Sequence, residues 1–138
     1  MIDYSLLKGK VAFVSGASGA IGAAISESLA SAGVNLVISG SNQNKLLKLK
    51  DMLSGNVDVI VGDMSQQSEI LRIIDEILLL GKIDILINCA GIFLQNTISN
   101  LDISEYNKVM NVNLNAPYLL SAALSKNMVK NKWGRIVN

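Results

Sequence analysis

The chain of 138 residues is 50% apolar and 17% charged, with Lys+Arg 12 against Asp+Glu 11 and a formal net charge of +1. This is a globular composition, long enough for one domain with its own core, and its charge balance argues against nucleic acid as a partner, because counterion release needs clustered Lys and Arg. Cys89 is the single cysteine and histidine is absent, which excludes an internal disulfide and Cys/His zinc sites and leaves acid–base work to Tyr, Lys, Asp or Glu.

Met1 to Lys10 lacks the apolar run of a signal peptide, and no apolar stretch approaches the ~18 residues of a membrane span. A cytoplasmic protein with no membrane partner is therefore expected. The first predicted strand, Val11–Ser15, runs straight into a loop of small residues and then a helix whose apolar stripe is Ile21, Ala24, Ile25, Leu29 and Ala32. Gly33 sits where a C-terminal cap belongs, ahead of a second strand at Val34–Ser39. A helix with Leu46, Leu49 and Leu53 inward leads to a third strand at Val57–Val61. The next stripe is Ile70, Ile73, Ile74, Ile77 and Leu78, ended by Gly81 before a fourth strand at Ile83–Ile87.

A long helical segment follows, from about Ile103 to Lys132, with Val112, Ala116, Leu119, Leu120, Ala123 and Met128 on one side. That stripe suits either the core or a subunit interface. Lys126, Lys130, Lys132 and Arg135 are spaced like a solvated helix face. Arg135–Val137 begins a fifth strand. The strand runs are nearly all apolar and do not alternate, as in parallel strands covered on both faces. Four β-α units and a fifth strand predict a doubly wound parallel sheet in three α/β/α layers, with right-handed crossovers. Residues 1–138 read as one domain, truncated after the fifth strand.

The loop after the first strand reads Ser15-Gly16-Ala17-Ser18-Gly19-Ala20-Ile21-Gly22. Small residues let a backbone approach a pyrophosphate, whose charge is met by N–H groups at the helix N-terminus. The same residues also suit a tight strand-to-helix turn that binds nothing. G-x-x-x-x-G-K-[ST] is absent, so this is not a P-loop, and the glycines at 16, 19 and 22 do not have G-x-G-x-x-G spacing.

Ser15-Gly16-x-x-x-Ala20-x-Gly22 resembles the T-G-x-x-x-G-x-G loop of short-chain dehydrogenases/reductases, with two small-for-small replacements. Asn88-Cys89-Ala90-Gly91 resembles the family's N-N-A-G, and Asn111-Val112-Asn113-Leu114 its N-x-N-L. Gly134-Arg135-Ile136-Val137-Asn138 resembles the start of the strand whose end carries the catalytic Ser. The resemblance spans essentially the whole chain. It implies a Rossmann-like NAD(P)-binding domain, a homodimeric or homotetrameric protein, and hydride transfer between nicotinamide and a small carbonyl or alcohol. In overall look, 3-oxoacyl-[acyl-carrier-protein] reductases and sugar or polyol dehydrogenases are nearest. Ile92-Phe93-Leu94-Gln95-Asn96 departs from the former, so the substrate stays open.

By this resemblance Gly16, Ser18, Gly19, Ala20, Ile21 and Gly22 cradle the cofactor phosphates. Asp63 takes the adenine amino group, with Met64 flanking the ring, although Asp63 equally suits a cap on the turn into Ser65. Asn88 pins the central strands, and Ala90 and Gly91 let the cofactor ribose pass. Cys89 reads as a small core residue. No acid lies between Glu27 and Asp51, whereas an Asp or Glu usually holds the ribose 2′-OH of NAD. Ser41 and Asn42 are left to hydrogen-bond a 2′-phosphate, so the expected cofactor is NADP(H) over NAD(H).

Of the family's catalytic Asn, Ser, Tyr and Lys, only the Asn has a counterpart, Asn113, which by resemblance anchors a water in the proton relay. Pro117, with no N–H, deprives the carbonyl four residues earlier of its partner, and that carbonyl belongs to Asn113. The alternative is a proline that simply bends the helix. Tyr4 and Lys8 have Y-x-x-x-K spacing but precede the first strand and read as coincidence. Tyr106 and Tyr118 have Met110 and Ala122 four residues on. The expectation is a piece of a longer oxidoreductase that binds cofactor without turning over substrate as written. A catalytically inactive nucleotide-sensing or scaffold domain is the alternative. A methyltransferase is remote, since the loop holds no acid.

Overall fold

The computed structural model describes residues 4–94, 99–100 and 102–138; Gln95 and Asn96, part of the stretch that departs from the reductases, lie outside them. The chain runs β1 (Val11–Ser15), α1 (Ala20–Ser31), β2 (Asn35–Gly40), α2 (Gln43–Met52), β3 (Val57–Val61), α3 (Gln67–Leu80) and β4 (Ile85–Asn88). It continues through α4 (Ile103–Met110), a π-helical turn (Asn111–Asn115), α5 (Ala116–Lys130) and β5 (Arg135–Val137). All strand pairs are parallel, in the order β3-β2-β1-β4-β5. The chain winds outward from β1 to β3, then crosses back to β4, so the strand order reverses between β1 and β4. In open parallel sheets that reversal leaves a crevice at the carboxyl ends of the strands.

The central strands β1, β2 and β4 are covered on both faces, as their apolar runs predict, while β5 is exposed along its length. On one face Ala12, Val14, Leu36, Ile38 and Ile85 meet Ala30 of α1 and Leu46 and Leu49 of α2. On the other, Phe13, Val37, Ile60 and Leu86 meet Ile70, Ile73, Ile74 and Ile77 of α3 and Val112, Ala116, Leu120, Leu124 and Met128 of the last helix. The Val112–Met128 stripe thus faces the core and not a subunit interface.

Helix α1 keeps Ile25, Leu29 and Ala32 of its predicted stripe packed against the core but not Ile21 and Ala24. It buries Gly22, Ser26 and Ala30, while Ala24 is exposed and Ile21 is 72% exposed. A helix docked through small side chains comes closer to what it covers, and its bulkier residues are left on the flanks. Its end follows the expectation: Gly33, at φ +79°, donates to the Ala30 carbonyl and Val34 to the Leu29 carbonyl at 2.9 and 3.1 Å. This is a Schellman closure that needs a left-handed residue.

The basic residues near the end divide differently from the expected helix face. Lys126 and Lys130 are exposed on α5, but Lys132 has left the helix at φ 53°. Arg135 opens β5 and stacks on Trp133, 5.0 Å from the ring centroid, with Lys10 at 4.2 Å. At the amino ends of the strands Asp84 is a buried staple. Its carboxylate accepts the Val11 N–H at 3.0 Å, its N–H donates to the Val11 carbonyl at 2.8 Å, and its carbonyl accepts the Arg135 N–H at 3.0 Å.

Candidate functional site

A groove of about 430 Å³ opens at the carboxyl ends of the strands, on the reversal between β1 and β4. Three loops meet there, and they meet through backbone. Gly16 takes φ +68°, and a Cβ on it would lie 2.7 Å from the Ala90 backbone. A Cβ on Gly22 would lie 2.4 Å from the Gly16 carbonyl oxygen. Neither position admits a side chain, so the loop after β1 lies flat against the loop after β4 and under the start of α1.

Gly19 is the N-cap of α1 and offers no side-chain acceptor, and the first turn carries no acid. The first N–H groups of a helix have no acceptor within it. Those of Ala20, Ile21 and Gly22 therefore give the groove a positive, uncrowded wall. All six predicted phosphate-loop residues, Gly16, Ser18, Gly19, Ala20, Ile21 and Gly22, line the groove, as do Ser41, Asp63, Met64, Ala90 and Gly91.

Four predicted residues carry duties the sequence left open. Asp63 accepts the Ser65 N–H at 2.9 Å, so it caps that turn and lines the groove at once. Met64 lines the groove yet is buried in the core beside α3. Asn42 does not line the groove; its Oδ1 accepts the Lys45 N–H at 3.0 Å as the N-cap of α2. Asn88 faces the adjoining hollow, where its Nδ2 donates to Asn138 Oδ1 at 2.7 Å and its own Oδ1 is buried without a partner. Cys89, read as a core residue, is only partly buried and lines the groove.

The adjoining hollow shares Ala90, Gly91 and Ile92 with the groove and is walled by Phe93, Asn113, Pro117 and Tyr118. Asn113 reaches back from the last helix and grips the Ile92 main chain. Its Nδ2 donates to the Ile92 carbonyl at 2.8 Å and its Oδ1 accepts the Ile92 N–H at 2.9 Å. Around it the helix widens into the π turn Asn111–Asn115, where the Ala116 N–H reaches the Asn111 carbonyl, and Pro117 follows in the first turn of α5. The proline is accommodated by that wider turn, a device that recurs at functional sites. Asn111 Nδ2 also donates to the Ser65 carbonyl at 2.8 Å, tying the helix to the loop after β3.

Sequence reasoning noted Ser15 only as a replacement in a motif. The structure makes it a hub: Ser15 is buried, its Oγ accepts the Cys89 and Ala90 N–H groups at 3.1 Å each, and it donates to the Ile87 carbonyl at 3.4 Å. The signal was its place as the last residue of a central strand, opposite Asn88, where β1 and β4 end side by side. Tyr4 and Lys8 lie at the other end of the sheet, since Gly9 beside them donates to the Gly33 carbonyl just before β2. No group of metal-ligating residues occurs among the described residues.

A crevice at a strand-order reversal, closed by glycines and a helix N-terminus, defines a nucleotide-binding α/β domain. Residues 10–138 match the family model described as short chain dehydrogenase, and the chain belongs to that family. It is 35% identical, over all of its 138 residues and 55% of the relative, to 3-oxoacyl-[acyl-carrier-protein] reductase FabG of Rickettsia felis. It is 32% identical over 131 residues to the Escherichia coli protein of the same name, covering 94% of this chain and 54% of that one.

Among solved structures, a metagenomic short-chain oxidoreductase in complex with NADP superposes with a TM-score of 0.88 at 33% identity, covering 96% of this chain and 62% of that one. A 3-oxoacyl (acyl-carrier-protein) reductase from Agrobacterium tumefaciens with NADP bound gives 0.89 at 27%, covering 99% of this chain and 55% of that one. The chain therefore spans about 55% of the length of the curated relatives it matches.

Proposed function

We propose that this chain is the cofactor-holding part of an oxidoreductase that uses NADP(H) in preference to NAD(H) and acts on a small-molecule carbonyl or alcohol. The observation that carries the reading is the side-chain-free floor of the groove, where Cβ atoms on Gly16 and Gly22 would strike backbone at 2.7 and 2.4 Å. Such a cradle fits a pyrophosphate laid on the N-terminus of α1. Two relatives in structure carry NADP, and the relatives in sequence are named for 3-oxoacyl thioester reduction, so a 3-oxoacyl thioester is the first substrate to try.

When bound, the cofactor supplies the hydride; the protein positions and polarises. Gly16, Ser18, Gly19 and the first-turn amides of Ala20, Ile21 and Gly22 hold the phosphates. Asp63 offers its carboxylate to the adenine amino group, with Met64 beside it, and Ala90 and Gly91 leave room for the ribose. Asn88 braces β4 against β5, and Asn113 fixes Ile92 where groove and hollow join. Pro117, with no N–H, leaves the Asn113 carbonyl to a water of the proton relay.

Preference for the 2′-phosphate is read from Ser41 at the rim of the groove and from the lack of any acid between Glu27 and Asp51 to hold a ribose 2′-OH. The exposed Ile103, Tyr106, Leu114 and Tyr118 on α4, the π turn and α5 supply an outward apolar face for a homodimer or homotetramer. No helix among the described residues is long and apolar enough to cross a membrane, in keeping with a cytoplasmic location.

The test is a fluorescence titration of the chain with NADPH and NADH at matched ionic strength. NADPH is expected to bind at least about tenfold tighter, the contribution of one charge-assisted hydrogen bond. Equal affinities would overturn the preference, and binding of neither would overturn the cofactor reading.

A further inference from the structure

The exit of β3 is held from outside by α3. Val61 ends β3 opposite Gly40, and the Gly62 N–H donates back to the Gly40 carbonyl at 3.1 Å. Backbone groups of successive strand residues point to opposite sides, so the Val61 carbonyl points away from β2. β3 is the outer strand of the sheet, and a carbonyl on that side has no ladder partner. Arg72 supplies one: its Nη2 donates to the Val61 oxygen at 2.7 Å.

The same guanidinium is held in turn by Glu69, through Nε at 3.0 Å and Nη2 at 2.7 Å, and by Glu76 through Nη1. It lies hard against the loop, for a Cβ on Gly62 would come within 2.8 Å of Arg72 Nη2 and 2.6 Å of Ile73 Cδ1. The hydrogen bond and charge of Arg72 hold the Glu69 carboxyl below its usual pKa, helped by the Asp63 N–H that faces it. One residue past Gly62 stands Asp63, which lines the groove and whose Oδ1 accepts the Ser65 N–H.

Ion pairs at i,i+3 and i,i+4 on an exposed helix contribute little, and a Lys would serve them nearly as well. A planar fork that bonds two carboxylates and a main-chain carbonyl at once is something a Lys does not reproduce. We infer that Arg72 is a positioning residue for the cofactor groove: it fixes the Val61 carbonyl and lies flat on Gly62, and so sets the direction in which Asp63 presents its carboxylate to adenine. The inference rests on the cofactor reading above and adds adenine recognition to the duties of a residue on the outer side of α3.

The experiment compares NADPH with reduced nicotinamide hypoxanthine dinucleotide phosphate, which has an oxo group in place of the adenine 6-amino group. Dissociation constants are read by fluorescence in the whole chain and in Arg72→Met and Arg72→Lys. The unaltered chain is expected to favour NADPH about tenfold, as for a hydrogen bond to a charged acceptor. In both variants the ratio is expected to fall toward one through weaker NADPH binding, with the hypoxanthine cofactor little changed. Arg72→Lys keeps the charge beside Glu69 and Glu76 and covers the case in which Arg72→Met fails to fold.

A variant ratio equal to that of the unaltered chain overturns the inference, as does equal weakening of both cofactors, the mark of a merely structural role. An unaltered chain that binds both cofactors equally overturns it as well, because Asp63 then does not read the amino group. An unaltered chain that binds neither cofactor overturns the cofactor reading itself, and the inference with it.

Discussion

Helices α1 and α3 cover opposite faces of one sheet and do so in opposite ways. α3 buries Ile70, Ile73, Ile74 and Ile77, whereas α1 buries Gly22, Ser26 and Ala30. Branched side chains fill volume and hold a helix at a distance; small ones give up buried area and let the backbone come close. The helix that provides stability uses the first solution. The helix whose N-terminus opens on the groove uses the second.

The sharpest way to break this contrast is Gly22→Val. Its Cβ would meet the Gly16 carbonyl oxygen at 2.4 Å, so NADPH affinity is expected to fall at least about a hundredfold, through displacement of the phosphate loop. Titration with NADPH checks this, and an unchanged affinity would mean the close approach is not what binds. Ile77→Ala, fully buried on α3, is expected to cost about 2–5 kcal/mol of stability while NADPH affinity stays within twofold. Urea unfolding followed by Trp133, the single tryptophan, reads the loss.

Ser15→Ala strands the Cys89 and Ala90 N–H groups that its Oγ accepts. A loss of about 1–3 kcal/mol is expected, largely restored by Ser15→Thr, with denaturant midpoints as the measurement. Glu69 gives a smaller, pH-dependent effect. Its folded-state pKa lies below the ordinary glutamate value of 4.5, so its contribution is present above that pH and is lost as the pH falls through the lowered folded value. The melting-temperature difference between the chain and Glu69→Gln should therefore narrow as the pH drops below 4.5. The smallest effect belongs to Ala24→Gln, expected within about 0.5 kcal/mol. A loss of several kcal/mol there would mean that Ala24, read from the sequence as part of the inward stripe, does face the sheet.

Much of the fold is legible in the chain. β1, β3 and β5 fall on Val11–Ser15, Val57–Val61 and Arg135–Val137, as their apolar runs predict, and β2 and β4 shift by a residue or two. The loop Ser15–Gly22 and the Asn88–Gly91 motif can be read as one site because both follow strands that end side by side. Illegible were the contacts that join residues far apart: Asn113 on Ile92, Ser15 on Cys89 and Ala90, and Arg72 on Val61. None leaves a periodic trace, because each side chain touches main chain, whose identity does not vary with sequence.

The amino-acid sequence by itself determined the alternation of strands and helices, the parallel sheet and the small-residue loop, since apolar period and glycine placement act over a few neighbouring residues. The tertiary structure alone decided which side of α1 faces inward, how Pro117 is accommodated by a π turn, and where Asn42 and Asn88 spend their amides. These depend on how closely two backbones approach and on which unpaired carbonyl or N–H lies within reach, and such distances exist only once the chain has closed on itself.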